Sequence, residues 1–200
     1  LKAFDLSDQD RIALHMKRGQ AWLSEEEPGE AASDFTRVLA IDPDHEQALI
    51  LRARANTALG KHQLAVADWT AVIAKSAETF KEGDYLERAS SWLAAGDTGA
   101  ALKDYDEVLK ANPKSIKACL GRAKVFEALN DREKALAEFA RAQAIDPQDI
   151  TPYIARAAAA ERWGDTKMAI ENYSFVVQNN TRSAGPYRKA LQRLGVDTPP

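Results

Sequence analysis

Cysteine is almost missing from this 200-residue sequence: Cys119 stands alone, so no disulfide can form within the chain. One thiol suits the cytoplasm and a bacterial periplasm equally, and the compartment stays open. Positive charge is not in excess. Lys and Arg number 27 against 30 Asp and Glu, for a net charge of −3. That balance argues against nucleic acid as a partner, because no surplus is left to neutralise phosphates. No apolar run approaches the roughly 20 residues of a spanning helix. The longest, 153–160, carries Arg156, so no integral membrane segment is expected. His15, His45 and His62 lack metal-ligand spacing and do not cluster with Cys119. There is no phosphate-cradling glycine loop and no Gly-x-Ser-x-Gly elbow. The sequence therefore implies no metal, no cofactor and no catalytic residue. It begins at Leu1 rather than methionine, as a processed or trimmed N-terminus would.

What is present is periodic. An alanine followed four places later by an aromatic occurs as Ala31/Phe35, Ala65/Trp69, Ala101/Tyr105, Ala135/Phe139 and Ala169/Tyr173. Successive alanines lie 34, 36, 34 and 34 residues apart. An arginine and a small residue keep the same beat at Arg18-Gly19, Arg52-Ala53, Arg88-Ala89, Arg122-Ala123 and Arg156-Ala157. Breaks between helices fall at Pro28-Gly29, Gly60, Gly96, Asn130 and Gly164. At Asp42-Pro43, Asn112-Pro113 and Asp146-Pro147, Asp or Asn is expected to cap the next helix, with proline in its first turn. The second and fifth units carry Ser76-Ala77 and Asn180-Thr181 there instead. Each unit reads as two antiparallel helices, at 12–45, 46–79, 82–115, 116–149 and 150–183. Phe80-Lys81 is an insertion, and 184–194 is a last amphipathic helix that caps the final apolar face.

This pattern resembles the tetratricopeptide repeat family, with Gly19, Trp22, Ala31, Phe35 and Pro43 in signature places of the first unit. The Arg-Gly and Arg-Ala steps are similar to variants common in bacterial proteins. The resemblance implies an all-α, right-handed α-solenoid of five helix-turn-helix hairpins plus a C-terminal capping helix, forming one domain over 1–200.

Sixteen residues after each recurrent arginine stands Asp34, Asp68, Asp104, Glu138 or Asn172. The arginine belongs to the first helix of a hairpin and its counterpart to the second. A column of guanidinium–carboxylate contacts, within hairpins or between neighbours, is favoured over an anion-binding stripe because the acids repeat with the arginines. Asn172 is uncharged, so the fifth rung is expected to be the weakest.

In the family, first helices line a concave groove, and register then places Met16, Ile50, Leu86, Leu120 and Ile154 along one apolar row. Gln20, Arg54, Ser90, Lys124 and Ala158 form the next row, with Lys117 and Glu87 nearby. An amphipathic helix or an extended peptide of some acidic character would fit. Some family members clamp acidic chaperone tails with a set of lysines and asparagines, but no register supplies it; one register offers Met16, Gln20, Leu51, Gly83 and Glu87 instead. Phe175 replaces charged or small residues and is either an exposed anchor or tucked under the last helix. Trp163 and the buried thiol of Cys119 read as core. The implied function is a scaffold or adaptor that binds another protein or peptide. A self-associating homo-oligomer and a regulatory or targeting module of a larger protein are the alternatives.

Overall fold

The computed structural model describes residues 6–75, 79–179 and 184–196. Ser76-Ala77 and Asn180-Thr181 lie outside the described residues. Eleven helices are present among those described: α1 (Asp8–Ser24), α2 (Pro28–Ile41), α3 (Glu46–Ala58), α4 (His62–Lys75), α5 (Glu82–Ala94), α6 (Thr98–Ala111), α7 (Ile116–Ala128), α8 (Arg132–Ile145), α9 (Thr151–Arg162), α10 (Thr166–Asn179) and α11 (Gly185–Arg193). No strand occurs among the described residues, so the all-α expectation holds. The chain divides into two compact units, Leu1–Asp104 and Tyr105–Pro200.

In unit 1, the alanine and aromatic four places on share one face of a second helix. Ala31 with Phe35, and Ala65 with Trp69, are fully or almost fully buried. Phe35 approaches α1 at Gly19 so closely that a Cβ there would lie 2.7 Å from its ring. Met16, Leu39, Leu49 and Val72 complete this core. Unit 2 repeats the device with Ala135 and Phe139 on α8, both buried. Its C-terminal end packs Leu191 and Ala190 of α11 with Tyr173 and Ala169 of α10. The Tyr173 and Tyr187 rings stack 6.0 Å apart, so α11 covers the apolar face that would otherwise be left open.

Two local expectations are corrected. The first interhelix break is at Glu26, whose φ is +60°, and not at Pro28-Gly29, which opens α2. Glu26 lies 34 residues before Gly60, so the repeat's left-handed position is kept although no glycine stands there. The Asp-Pro and Asn-Pro steps do not cap the following helices. Asp42 and Asn112 instead accept the amides of Asp44 and Lys114 in the turn. His45 and Ser115 cap α3 and α7 by accepting from Ala48 and Ala118. Proline explains the displacement: it disfavours helical geometry in the residue before it, so Asp and Asn end one helix and cannot start the next. Phe80 and Lys81 stand outside α4 and α5. Phe80 stacks on Tyr85 at 4.8 Å, and Lys81 Nζ lies 2.7 Å from Glu46.

Gly121 on α7 meets the Tyr105 ring at 2.3 Å from where a Cβ would stand. Gly121→Ala should therefore cost roughly 1–3 kcal/mol by overpacking, visible as a melting temperature several degrees lower. Gly29→Ala meets no heavy atom within 4 Å and should leave the melting temperature unchanged or slightly raised. Equal effects for the two variants would contradict this packing.

Candidate functional site

The recurrent arginines form forked contacts across their hairpins. Arg18 donates from Nε and Nη2 to the two Asp34 oxygens at 2.7 and 2.6 Å. Arg52 reaches Asp68 in the same way at 3.0 and 2.6 Å, and Arg88 reaches Asp104 at 2.8 and 2.7 Å. In unit 2 the pattern loosens. Arg122 Nη2 lies 3.4 Å from Glu138, and Arg156 Nη1 donates to Gln143, whose amide in turn donates to Asn172. Arg122 Nε, Arg156 Nε and Glu138 Oε2 are buried without a hydrogen-bond partner among the described residues. The remaining nitrogen of three arginines reaches backward to the preceding hairpin. Arg52 Nη1 donates to Thr36 at 3.2 Å, Arg88 Nη1 to Thr70 at 3.3 Å, and Arg122 Nη1 to Asp106 at 3.2 Å.

The first rung gathers extra cations. His15 Nδ1 and Arg37 Nη1 both lie 3.0 Å from Asp34 Oδ1. Hydrogen bonds from Arg18, opposed by burial and assisted by His15 and Arg37, bring the Asp34 carboxyl down to about 2.

The first-helix rows occupy another face. In unit 1, Gln20, Arg54 and Ser90 are exposed, while Ile50 and Leu86 are half-buried. In unit 2, Lys117 and Lys124 are exposed, and Leu120, Ile154 and Ala158 are half-buried or buried. Met16 departs from its row: it is 8% exposed and belongs to the unit 1 core with Phe35 and Leu49, so it offers no surface to a ligand.

The tetratricopeptide repeat pattern matches residues 15–78 and again residues 93–160. The chain belongs to the tetratricopeptide repeat family. A curated relative, mouse DnaJ homolog subfamily C member 3, is 31% identical over 102 residues, covering 51% of this chain. The chain spans only about 20% of the length of that relative. Among solved structures, the thermophilic repeat protein TTC0263 of Thermus thermophilus superposes with a TM-score of 0.67 at 20% identity, covering 94% of this chain and 98% of that one. YrrB, described as a repeat protein with an unusual peptide-binding site, superposes with a TM-score of 0.59 at 11% identity, covering 94% and 98%. At such identities the likeness is one of fold, that of the tetratricopeptide solenoid.

Other singled-out residues of this repeat protein find ordinary places. Phe175 stacks on Tyr153 of α9, centroids 3.8 Å apart, so it pairs with the first helix of its own hairpin. Trp163, expected in the core, is instead half-buried, with the Arg132 guanidinium 5.0 Å over its ring. Cys119 is fully buried, and that burial pushes its thiol pKa up. No group of metal-binding side chains is found among the described residues.

Sequence reasoning missed one feature. A cleft of about 510 Å³ opens in unit 1, bounded by α2, α3 and α4. Arg37, Arg52, Asn56, Lys61, Leu64 and Asp68 are among its walls. The repeat's regularity hid it, because only departures from that regularity, Asn56 and Lys61, mark the place.

Arg52→Leu strands Asp68 and should cost about 3 kcal/mol in urea unfolding. Arg18→Leu should cost less, because His15 and Arg37 still serve Asp34; a larger loss at Arg18 would refute that ordering. Asp34 also sets an acid dependence. Its folded value lies below the ordinary 3.8, so its contribution, about 2 kcal/mol, is complete above about pH 4 and fades as pH falls through about 2. The stability gap between the natural protein and Asp34→Asn should narrow over that window, and a constant gap would exclude the linkage.

Proposed function

We propose that this protein is an interaction scaffold whose first-helix faces hold a peptide or helical segment of a partner protein. The observation that carries the reading is the composition of those faces. In each unit, aliphatic side chains (Ile50 and Leu86, or Leu120 and Ile154) stand beside exposed polar and basic ones. A half-buried aliphatic still has apolar surface to lose, and each such side chain covered by a ligand contributes up to roughly 1.5–3 kcal/mol before ordering costs. Arg54, Lys117 and Lys124 favour a segment with some acidic character. Met16 is withdrawn from the contact set because the core already holds it. The repeat boundaries at 12–45, 46–79, 82–115, 116–149 and 150–183 belong to the same reading. Membership of the family and the likeness to a peptide-binding repeat fold support it.

No helix of the described residues is long and apolar enough to cross a membrane. Nothing in this role calls for catalysis. A regulatory or targeting module within a longer polypeptide is the second reading, favoured by the match to a fifth of a much longer relative. Self-association is a third reading, with Phe175, half-buried and stacked on Tyr153, as its candidate anchor.

Peptides selected from a display library against the whole chain should bind in fluorescence anisotropy. Leu120→Glu should weaken them at least tenfold while leaving the circular dichroism of the protein unchanged. Undiminished binding by this variant would move the site off the first-helix face.

A further inference from the structure

We propose that the unit 1 cleft is a separate binding site for a small organic anion, one that carries a carboxylate or phosphate on a short apolar stem. The cleft lies away from the peptide face. Its α3 residues, Arg52 and Asn56, stand two places along from Ile50 and Arg54. Two residues rotate a helix by about 200°, so the pairs point to opposite sides. A volume of about 510 Å³ falls in the size range of small-molecule sites and is too small for a helix.

The charge of the walls selects the ligand. Arg52 and Asp68 satisfy one another through the fork and form a neutral floor, with Arg52 also held by Thr36. Arg37 and Lys61 remain as cations at the rim. Arg37 shares Asp34 with Arg18, so that cluster keeps a net positive charge. Lys61 forms no ion pair among the described residues. The hydroxyls of Ser33 and Thr36 and the amide of Asn56 add neutral polar groups. Ala32, Leu64 and Ala67 form the apolar part, and Leu64 is 55% exposed. An anionic head between Arg37 and Lys61, with its stem on Leu64, meets each of these groups with its complement.

The chain carries its own comparison. Seventy residues on, Arg37, Lys61, Thr36 and Asn56 have counterparts in unit 2 that are acids and an aromatic, while Leu64 becomes Lys134. Arg37 becomes Glu107, Lys61 becomes Asp131, Thr36 becomes Asp106 and Asn56 becomes Phe126. Phe126 is 8% exposed, and Lys134 lies over its ring while paired with Asp131 at 2.7 Å. The repeat fold alone therefore fixes neither the polar wall at Asn56, where Trp92 stands in the next hairpin, nor the two cations at Arg37 and Lys61.

The whole 200-residue chain would be titrated by amide-resolved NMR with inorganic phosphate and with glutarate, against sodium chloride at matched ionic strength. Saturable shifts are expected at Thr36, Arg37, Asn56 and Lys61 with phosphate, glutarate or both. Saturation by phosphate alone assigns a phosphate head, and saturation by glutarate alone assigns a carboxylate on an apolar stem. Lys61→Glu should weaken binding at least tenfold, and Asn56→Phe, which copies unit 2, should do the same by filling the cleft. Linear shifts that sodium chloride reproduces would overturn the proposal, as would saturable binding unchanged in Lys61→Glu. Leu120→Glu lies in the other unit and should bind the anion normally, which separates this site from the peptide face.

Discussion

One guanidinium joins each hairpin to the one before it. At Arg52 and Arg88, Nε and Nη2 hold a carboxylate sixteen residues ahead, and Nη1 holds an oxygen sixteen or eighteen residues behind. The two oxygens come from a second helix, two positions apart: Asp34 and Thr36, Asp68 and Thr70, Asp104 and Asp106. Two positions on a helix face opposite ways. The acid therefore points into its own hairpin and its neighbour two places on points toward the next, so each second helix is held from both sides. Lysine cannot replace arginine here, because a single ammonium lacks the planar fork that addresses both sides at fixed angles. A buried carboxylate is costly unless fully satisfied, and the fork supplies two charge-assisted bonds at once.

The insertion at Phe80-Lys81 shows how local this constraint is. It lengthens the backward interval from sixteen residues at Thr36–Arg52 to eighteen at Thr70–Arg88. The hydrogen bond lengthens only from 3.2 to 3.3 Å. The added residues are taken up in the link, where Phe80 finds Tyr85 and Lys81 finds Glu46. Loop length is a weak thermodynamic variable beside the registration of two packed helices.

Much of this was legible because periodicity reports burial. Ala31 and Phe35 recur every repeat for the same reason that they are buried in every repeat, and the arginine–acid interval recurs because it spans one hairpin. What periodicity concealed were the places where one copy differs in three dimensions. Met16 has the same register as Ile50, but it is drawn into the core with Phe35 and Leu49. Glu26 holds a left-handed turn that glycine or asparagine serves elsewhere, and composition points to the wrong residues, Pro28-Gly29. The unit 1 cleft is a volume, and volume depends on what neighbouring helices fail to fill. Asn56 against Phe126 was visible as a letter change, but its consequence was not.

The two units reach the same fold by different balances of force. In unit 1 the rungs are forked Arg–Asp pairs, and their acids are nearly inaccessible. In unit 2 the acid lengthens to Glu138, which no longer presents both oxygens, and then becomes Asn172. Ala140 replaces the hydroxyl that would receive the backward arm of Arg156, and Gln143 supplies an amide in its stead. An amide relay carries no charge and does not titrate, so the last rung is indifferent to acid where the first is not. The fourth place after each arginine does not follow that division: it holds Trp22, Asn56 and Trp92 in unit 1 and Phe126 and Ala160 in unit 2. Apolar burial can replace a buried ion pair with little loss of stability. An aromatic does not take the place of the fork here, however: Arg18 and Arg88 keep theirs with Trp22 and Trp92 four places on, and Arg52 keeps its own with Asn56 there. Of the three forked rungs, the cleft lies at the one whose fourth following place holds no aromatic, Asn56.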